Sequence, residues 1–216
     1  MQWLKEGEQN TKFFHRSTLD YRSANKILNL KNEAGDTLHN QKEISSLLTE
    51  HFKHIAQETQ ADRIEAIDTL TQAIPKVVTN EQNLTLLKEI SMEEVEEVVK
   101  SMPNDKAPGP DGFTINFYKA CWPTIKSGIW EVVEDSRRLG TILKSLNSTF
   151  LALVPKEENA HTPEKFRPIA LCNVIYKIIS KVITNRLKPI LPNLISEEQS
   201  GYVEGIKILD NILLAQ

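Results

Sequence analysis

The chain has 216 residues, 40% hydrophobic and 25% charged, enough for one large domain or two small ones with a sizeable core. Its formal net charge of −3 excludes a uniformly basic nucleic-acid binder. No apolar run approaches the length that spans a bilayer, and the first residues, Met1 to Glu8, have no signal-peptide core.

Charge is unevenly placed. Lys and Arg against Asp and Glu stand at 6 to 3 over residues 1–31, 6 to 15 over 32–105 and 14 to 11 over 106–216. Within 165–188 there are six cations and no acid. Cys121 and Cys172 lie in apolar surroundings without metal-like spacing, which predicts two buried free thiols in a reducing compartment. The expected setting is intracellular, in nucleus or cytoplasm, with no membrane partner.

Residues 1–31 hold GEQNTKFFHR (7–16) and then an apolar patch at Ile27, Leu28 and Leu30. Asn32 to Asp36 predict a turn, with Leu38 starting a return strand. Ile44, Leu47, Leu48, Phe52 and Ile55 recur at helical spacing. From Gln57 to about Thr85 charges dominate and Pro75 breaks the pattern, which reads as a loosely packed helical connector. Ser91 and Glu94 form a capping-box pair ahead of an apolar face at Val95, Val98, Val99 and Met102, and Pro103 and Asn104 end that helix. Gly109-Pro110-Asp111-Gly112 predicts a tight turn in which the Asp111 side chain bonds backbone. Phe117, Cys121, Ile125, Ile129 and Val133 fit core-facing helices interrupted at Pro123 and stopped at Gly140. His51 and His54 have a helical spacing that suits a metal but lack a third ligand, so they read as surface residues.

FLALVPK (150–156) and FRPIAL (166–171) predict two paired strands. Pro155 and Pro168 each remove a ladder donor, so both strands belong at a sheet edge, as an exposed flap. From Leu171 to Lys188 one helix face carries Leu171, Val174, Ile175, Ile178, Ile179, Val182, Ile183 and Leu187. The opposite face carries Asn173, Lys177, Lys181, Thr184 and Lys188. Arg186 falls amid the apolar face, where it needs a carboxylate or carbonyl partner or else reaches a substrate. QSGYVEG (199–205) reads as a polar loop. Ile208, Leu209, Ile212 and Leu213 then give an apolar helix face that ends without a cap at Gln216, which is the expectation for a truncated unit.

KAPGPDGF (106–113) and the run from Phe166 to Gly205 together resemble the fingers of the reverse transcriptase of plant non-LTR (LINE-type) retrotransposons, and GEQNTKFFH (7–15) is similar to the segment that precedes those fingers. The resemblance covers nearly the whole chain, is specific over 103–113 and 150–216, and is diffuse over 57–88. It implies an α+β, mostly helical fold: the fingers subdomain of a right-hand polymerase with a small edge β-hairpin, palm and thumb absent. The expected division is 1–56 as N-terminal extension, 57–90 as acidic connector and 91–216 as truncated fingers.

By this resemblance Lys156 and Arg167 bind the incoming nucleoside triphosphate. Lys177, Lys181 and Lys188 track nucleic-acid phosphates, and Gln199, Gly201, Tyr202 and Gly205 contact the template. Lys12, His15 and Arg16 touch template backbone. Where the family has arginine after the second loop glycine this chain has Ile206, which points to a copy no longer held to activity. Nucleotidyl transfer needs Mg²⁺ ions held by palm carboxylates and a Tyr/Phe-x-Asp-Asp hairpin, and the sequence has no adjacent pair of aspartates. Glu93-Glu94, Glu96-Glu97, Glu157-Glu158 and Glu197-Glu198 read as solvated surface charge, so no catalytic or metal-binding residue is expected here. The implied partners are RNA template, DNA primer, deoxynucleoside triphosphates and the polymerase's palm and thumb. The implied function is a reverse transcriptase fragment, inactive alone. The alternatives are a non-catalytic nucleic-acid-binding module left from a decayed retroelement, or a helical interaction protein.

Overall fold

The computed structural model describes residues 26–57 and 63–195. GEQNTKFFHR with Lys12, His15 and Arg16, the 199–205 loop, Ile206 and the helix expected near Gln216 lie outside the described residues. The chain divides into two compact units, Met1–Ala61 with Leu151–Ile169 and Asp62–Phe150 with Ala170–Gln216.

In the first unit, β1 (Leu30–Lys31) and β2 (Thr37–Leu38) pair antiparallel, Leu30 opposite Leu38. The intervening turn closes through Asn32, whose Oδ1 accepts from Asp36 N at 2.8 Å. α1 (Gln41–Ala56) starts where Asn40 Oδ1 accepts the Lys42 N–H, and it buries Ile44 and Leu48. These two join Leu30 and Phe166 in a small core. The predicted turn, return strand and helix are all present.

The second unit is helical. The connector forms two exposed helices, α2 (Arg63–Ala73) and α3 (Asn80–Leu87), the latter opened by a capping box between Thr79 and Gln82. α4 (Met92–Ser101) carries the predicted box: Ser91 N donates to Glu94 Oε2 at 2.9 Å and Glu94 N to Ser91 Oγ at 3.2 Å. Its apolar face, Val95, Val98 and Val99, is buried. α5 runs unbroken from Ile115 to Leu139, so the expected interruption at Pro123 does not occur. Proline only withdraws the donor for the Lys119 carbonyl, whereas Tyr118, Trp122 and Val133 bury side chains on both sides of it in one core. The helix stops at Gly140, whose left-handed backbone (φ 64°) lets its N–H reach Arg137 O at 3.3 Å.

β3 (Thr149–Pro155) and β4 (Phe166–Cys172) pair as a two-stranded antiparallel hairpin, linked through a 3₁₀ turn at Pro163–Lys165. With only two strands, each proline has an edge to occupy. α6 spans Val174–Leu187, followed by the short α7 (Leu191–Leu194). α6 begins three residues later than the periodicity suggests, because Leu171 and Cys172 complete β4 and Asn173 takes the cap position. Three further expectations are corrected. Cys121 and Cys172 are free but only half-buried, Phe117 is exposed, and Ile183 on the supposed core face of α6 is half exposed.

Arg186 decides how α6 meets the rest of its unit. Its side chain is 13% exposed and forks onto Glu94, Nε to Oε1 and Nη2 to Oε2, both at 2.9 Å. It also donates to the carbonyls of Leu86 (3.1 Å), Lys88 and Glu89 (2.9 Å). The paired reading of Arg186 therefore holds, and Glu94 is its counter-ion rather than a solvated surface acid. Hydrogen bonding from Arg186 pulls the Glu94 carboxyl below its ordinary pKa. A second pair sits beside it. Glu134 accepts from Arg137 and from the Ile90 N–H (3.0 Å), Arg137 Nη1 donates to Leu87 O (2.9 Å), and Trp130 Nε1 donates to Ile90 O (2.7 Å).

Removing one member of a partly buried, multiply hydrogen-bonded pair leaves the other uncompensated. Arg186→Ala should lower unfolding stability by about 3 kcal/mol in urea titrations, with Arg186→Lys recovering only part, because lysine lacks the planar fork. Arg137 also holds the Glu134 carboxyl down to about 2, against an ordinary 4.5. The unfolded chain then takes up that proton first, so the pair's contribution is complete above about 4.5 and drains away as pH falls toward about 2. Thermal melts across that window should show acid loss of stability, and Glu134→Gln should flatten it.

Candidate nucleic-acid interface

The hairpin cations belong to the first unit. Lys156 follows β3, and its N–H donates to Lys165 O at 2.8 Å, which places it across from the residues that lead into Arg167. The Lys156 ammonium donates to the Glu164 carbonyl at 2.5 Å, and Lys165 pairs with Glu157 at 3.2 Å. Arg167 is different. It is exposed at the start of β4, and among the described residues its guanidinium makes no hydrogen bond or ion pair. A planar donor fork left open on an edge strand suits phosphate or carboxylate.

What holds Arg167 is the residue before it. Phe166 is buried with Leu30, Ile44 and Leu48, while Leu153 packs against the same cluster. Backbone and side-chain ties reinforce this seat: Lys31 N donates to His161 O at 2.6 Å, His161 Nδ1 meets Asn29 Oδ1 at 3.0 Å, and His51 approaches Glu164 at 3.8 Å. The hairpin's loop end is thus mounted on β1 and α1, not freely hinged. His51, read as a surface residue, is half-buried and serves this mount.

The α6 lysines belong to the second unit and differ among themselves. Lys177 is half-buried and donates to the Ala107 carbonyl at 3.0 Å, so its ammonium anchors the KAPGPDGF loop. Lys181 and Lys188 are exposed. Asn173, expected on the same polar stripe, is instead buried, and its amide makes three hydrogen bonds to two loops. Its Oδ1 accepts from Asp111 N at 3.2 Å, and its Nδ2 donates to Ser145 O (3.2 Å) and Leu146 O (3.3 Å). Gly109 sits against it so closely that a Cβ would overlap the Asn173 backbone N and Oδ1. Asp111 bonds the Phe113 N–H at 3.0 Å, the local role predicted for it.

Sequence reasoning missed Asn173 as a loop anchor, the Glu134–Arg137 pair and Trp130. The only signal for Asn173 was a polar residue at a strand–helix junction, where N-cap side chains concentrate. A cavity of about 380 Å³ lies beside the arginine clamp, lined by Leu86, Val133, Ile179, Val182, Ile183 and Leu187 among others; none of the predicted site residues lines it. Among the described residues no three His, Cys, Asp or Glu side chains gather as metal ligands. No described helix is long and apolar enough to cross a membrane.

Residues 154–216 match the family described as reverse transcriptase (RNA-dependent DNA polymerase). The matched stretch begins inside β3 and takes in Lys156, Arg167, α6 and the 199–205 loop. Over 214 residues, 99% of the chain, it is 28% identical to the "Transposon TX1 uncharacterized 149 kDa protein" of Xenopus laevis, covering 16% of that protein. Over 166 residues, 75% of the chain, it is 23% identical to the "Probable RNA-directed DNA polymerase from transposon BS" of Drosophila melanogaster, covering 17% of it. Over 133 residues, 61% of the chain, it is 27% identical to the "Retrovirus-related Pol polyprotein from type-1 retrotransposable element R2" of Bradysia coprophila, covering 14% of it. The chain therefore spans about one-sixth of the length of the curated relatives it matches. The expected likeness to reverse transcriptases and retrotransposon polymerases is borne out.

The mount yields a direct test. Phe166→Ala should cost about 3 kcal/mol in the first unit, since a buried aromatic is lost and the cavity only partly collapses. Hydrogen exchange should then accelerate at β1, α1 and the hairpin end while α4 to α6 keep their protection.

Proposed function

We propose that the chain is the fingers part of an RNA-directed DNA polymerase of a LINE-type, non-LTR retrotransposon, and that it grips nucleotide and template without extending a primer by itself. The observation that carries this reading is the coincidence of the family match with the hairpin whose exposed Arg167 has no partner among the described residues. In the first unit, Arg167 offers two parallel N–H donors to a triphosphate, and Lys156 adds a point charge across the hairpin, opposite Lys165. Arg167 is set on an edge strand and exposed, whereas Lys156 follows β3 and would have to give up its Glu164 carbonyl to reach a ligand. In the second unit, exposed Lys181 and Lys188 on an acid-free helix offer sequence-independent attraction to a phosphate backbone.

The complete polymerase of this family is expected to use Mg²⁺, which neutralises the triphosphate and activates the primer hydroxyl. The donor set of the described residues does not fit a two-metal centre, and no Asp-Asp pair occurs in the sequence. The chain's own contribution is therefore binding and orientation. A non-catalytic nucleic-acid-binding module is the second reading, favoured by the lysines of α6 alone.

The two readings separate on the triphosphate. Arg167→Ala should weaken deoxynucleoside triphosphate binding about tenfold or more in calorimetric titration, as expected for losing charge-assisted hydrogen bonds. Wild-type chain that binds RNA but no triphosphate would leave the module and sink the fingers reading. Lys181→Glu with Lys188→Glu should weaken RNA binding across sequences and lower the salt slope by about one per lysine. Primer extension by the isolated chain with template, nucleotides and Mg²⁺ would overturn the view that it only binds.

A further inference from the structure

Phe113 and Phe117 form an aromatic pair that the core does not use. Their rings stack at 4.6 Å with planes 30° apart, and the side chains are 46% and 41% exposed. Phe117 is braced from behind by the buried Tyr118, edge-on at 5.9 Å. Phe113 precedes the Thr114 cap of α5 and Phe117 lies in its first turn, and both rings are left exposed there.

The loop that presents them is held rigid. Asp111 Oδ1 fixes the Phe113 N–H, Asn173 Oδ1 fixes Asp111 N, Gly112 N donates to Gly109 O at 3.1 Å, and Lys177 fixes Ala107 O. Asn173 and Lys177 are the cap and first turn of α6, so the aromatic pair is tied to the beginning of the helix on which Lys181 follows one turn later. No acid occurs from Val174 to Lys188. The Asp111 carboxylate lies next to the rings and disfavours a phosphate there. The two exposed rings themselves offer an uncharged, flat, polarizable face.

We infer that Phe113 and Phe117 are a stacking platform for a base of single-stranded nucleic acid, the phosphates of that strand lying toward α6. The inference rests on the nucleic-acid-binding reading of the same unit and adds to it the place where a base is held. Stacking of this kind tolerates any base, because every base has a π-face. Preorganisation by the loop's backbone ties lowers the ordering cost of the contact.

The test compares single-stranded RNA carrying one 2-aminopurine with an abasic strand of the same length and phosphate count. With Phe113→Ala and Phe117→Ala combined, affinity for RNA should fall about tenfold. Quenching of the 2-aminopurine should be lost, while the salt slope and the affinity for the abasic strand stay as in the wild type. Phe113→Trp should keep both affinity and quenching. The platform is overturned if the double variant binds RNA as the wild type does while the Lys181→Glu, Lys188→Glu variant binds weakly. The nucleic-acid reading then survives alone. Equal losses on RNA and abasic strand also overturn it, since the effect is then charge or fold. A variant that changes only self-association in sedimentation assigns the rings to protein contact instead. If wild-type chain binds no RNA, the platform and the reading beneath it both fall.

Discussion

Five consecutive carbonyls, from Leu86 to Ile90, leave the end of α3 with no helix to satisfy them, and side chains from α5 and α6 satisfy every one. Arg186 takes three, Arg137 one and the Trp130 indole one. The two arginines are in turn neutralised by Glu94 and Glu134, acids that also hold the Ser91 and Ile90 N–H groups. Partly buried charge is tolerated here because each donor and acceptor is matched. The clamp joins α3, α4, α5 and α6 at one place, and the apolar contacts of Val95, Val98, Ile178 and Val182 fill the space it encloses.

That clamp fixes one end of α6, and the KAPGPDGF loop fixes the other. Asn173 and Lys177 tie the first turn to residues 107–111, Arg186 ties the last turn to 86–94, and Ile178, Ile179 and Val182 are buried between them. Lys181, on the solvent side of the same stretch, is therefore presented on a helix restrained at both ends. The first unit uses the same economy on a smaller scale. Phe166 is held in a core of four buried residues, and the next residue, Arg167, is the exposed one. In both cases an exposed cation is placed by the burial of its neighbour, which costs it no freedom at its own charged tip.

Much of this was legible residue by residue. The Ser91–Glu94 box, the stop at Gly140, the edge prolines and the anomalous angle of Arg186 on an apolar face are all local signals, set by cap geometry, φ and periodicity. Their partners were not legible. Glu94 is 92 residues from Arg186, and the Ala107 carbonyl is 70 from Lys177. No periodicity relates such positions. Lysine spacing alone therefore treated Lys177 and Lys181 alike, although one is a structural tie and the other is exposed. Pro123 misled in the opposite direction, since a breaker's local cost was overridden by burial on either side of it.

The amino-acid sequence thus specified the kinds of element, their caps and the motifs that carry the polymerase likeness, because those depend on dihedral preference and on residues within a turn or two. Folding assigned the roles. Which cation pairs inside the protein, which stays open to a ligand and which aromatic rings are left in solvent depend on what the packed chain brings near them. A charge with an internal carbonyl or carboxylate is used up as structure. Arg167 stays exposed because packing supplied it no such partner among the described residues, and the Phe113–Phe117 pair stays exposed because the core closes without it.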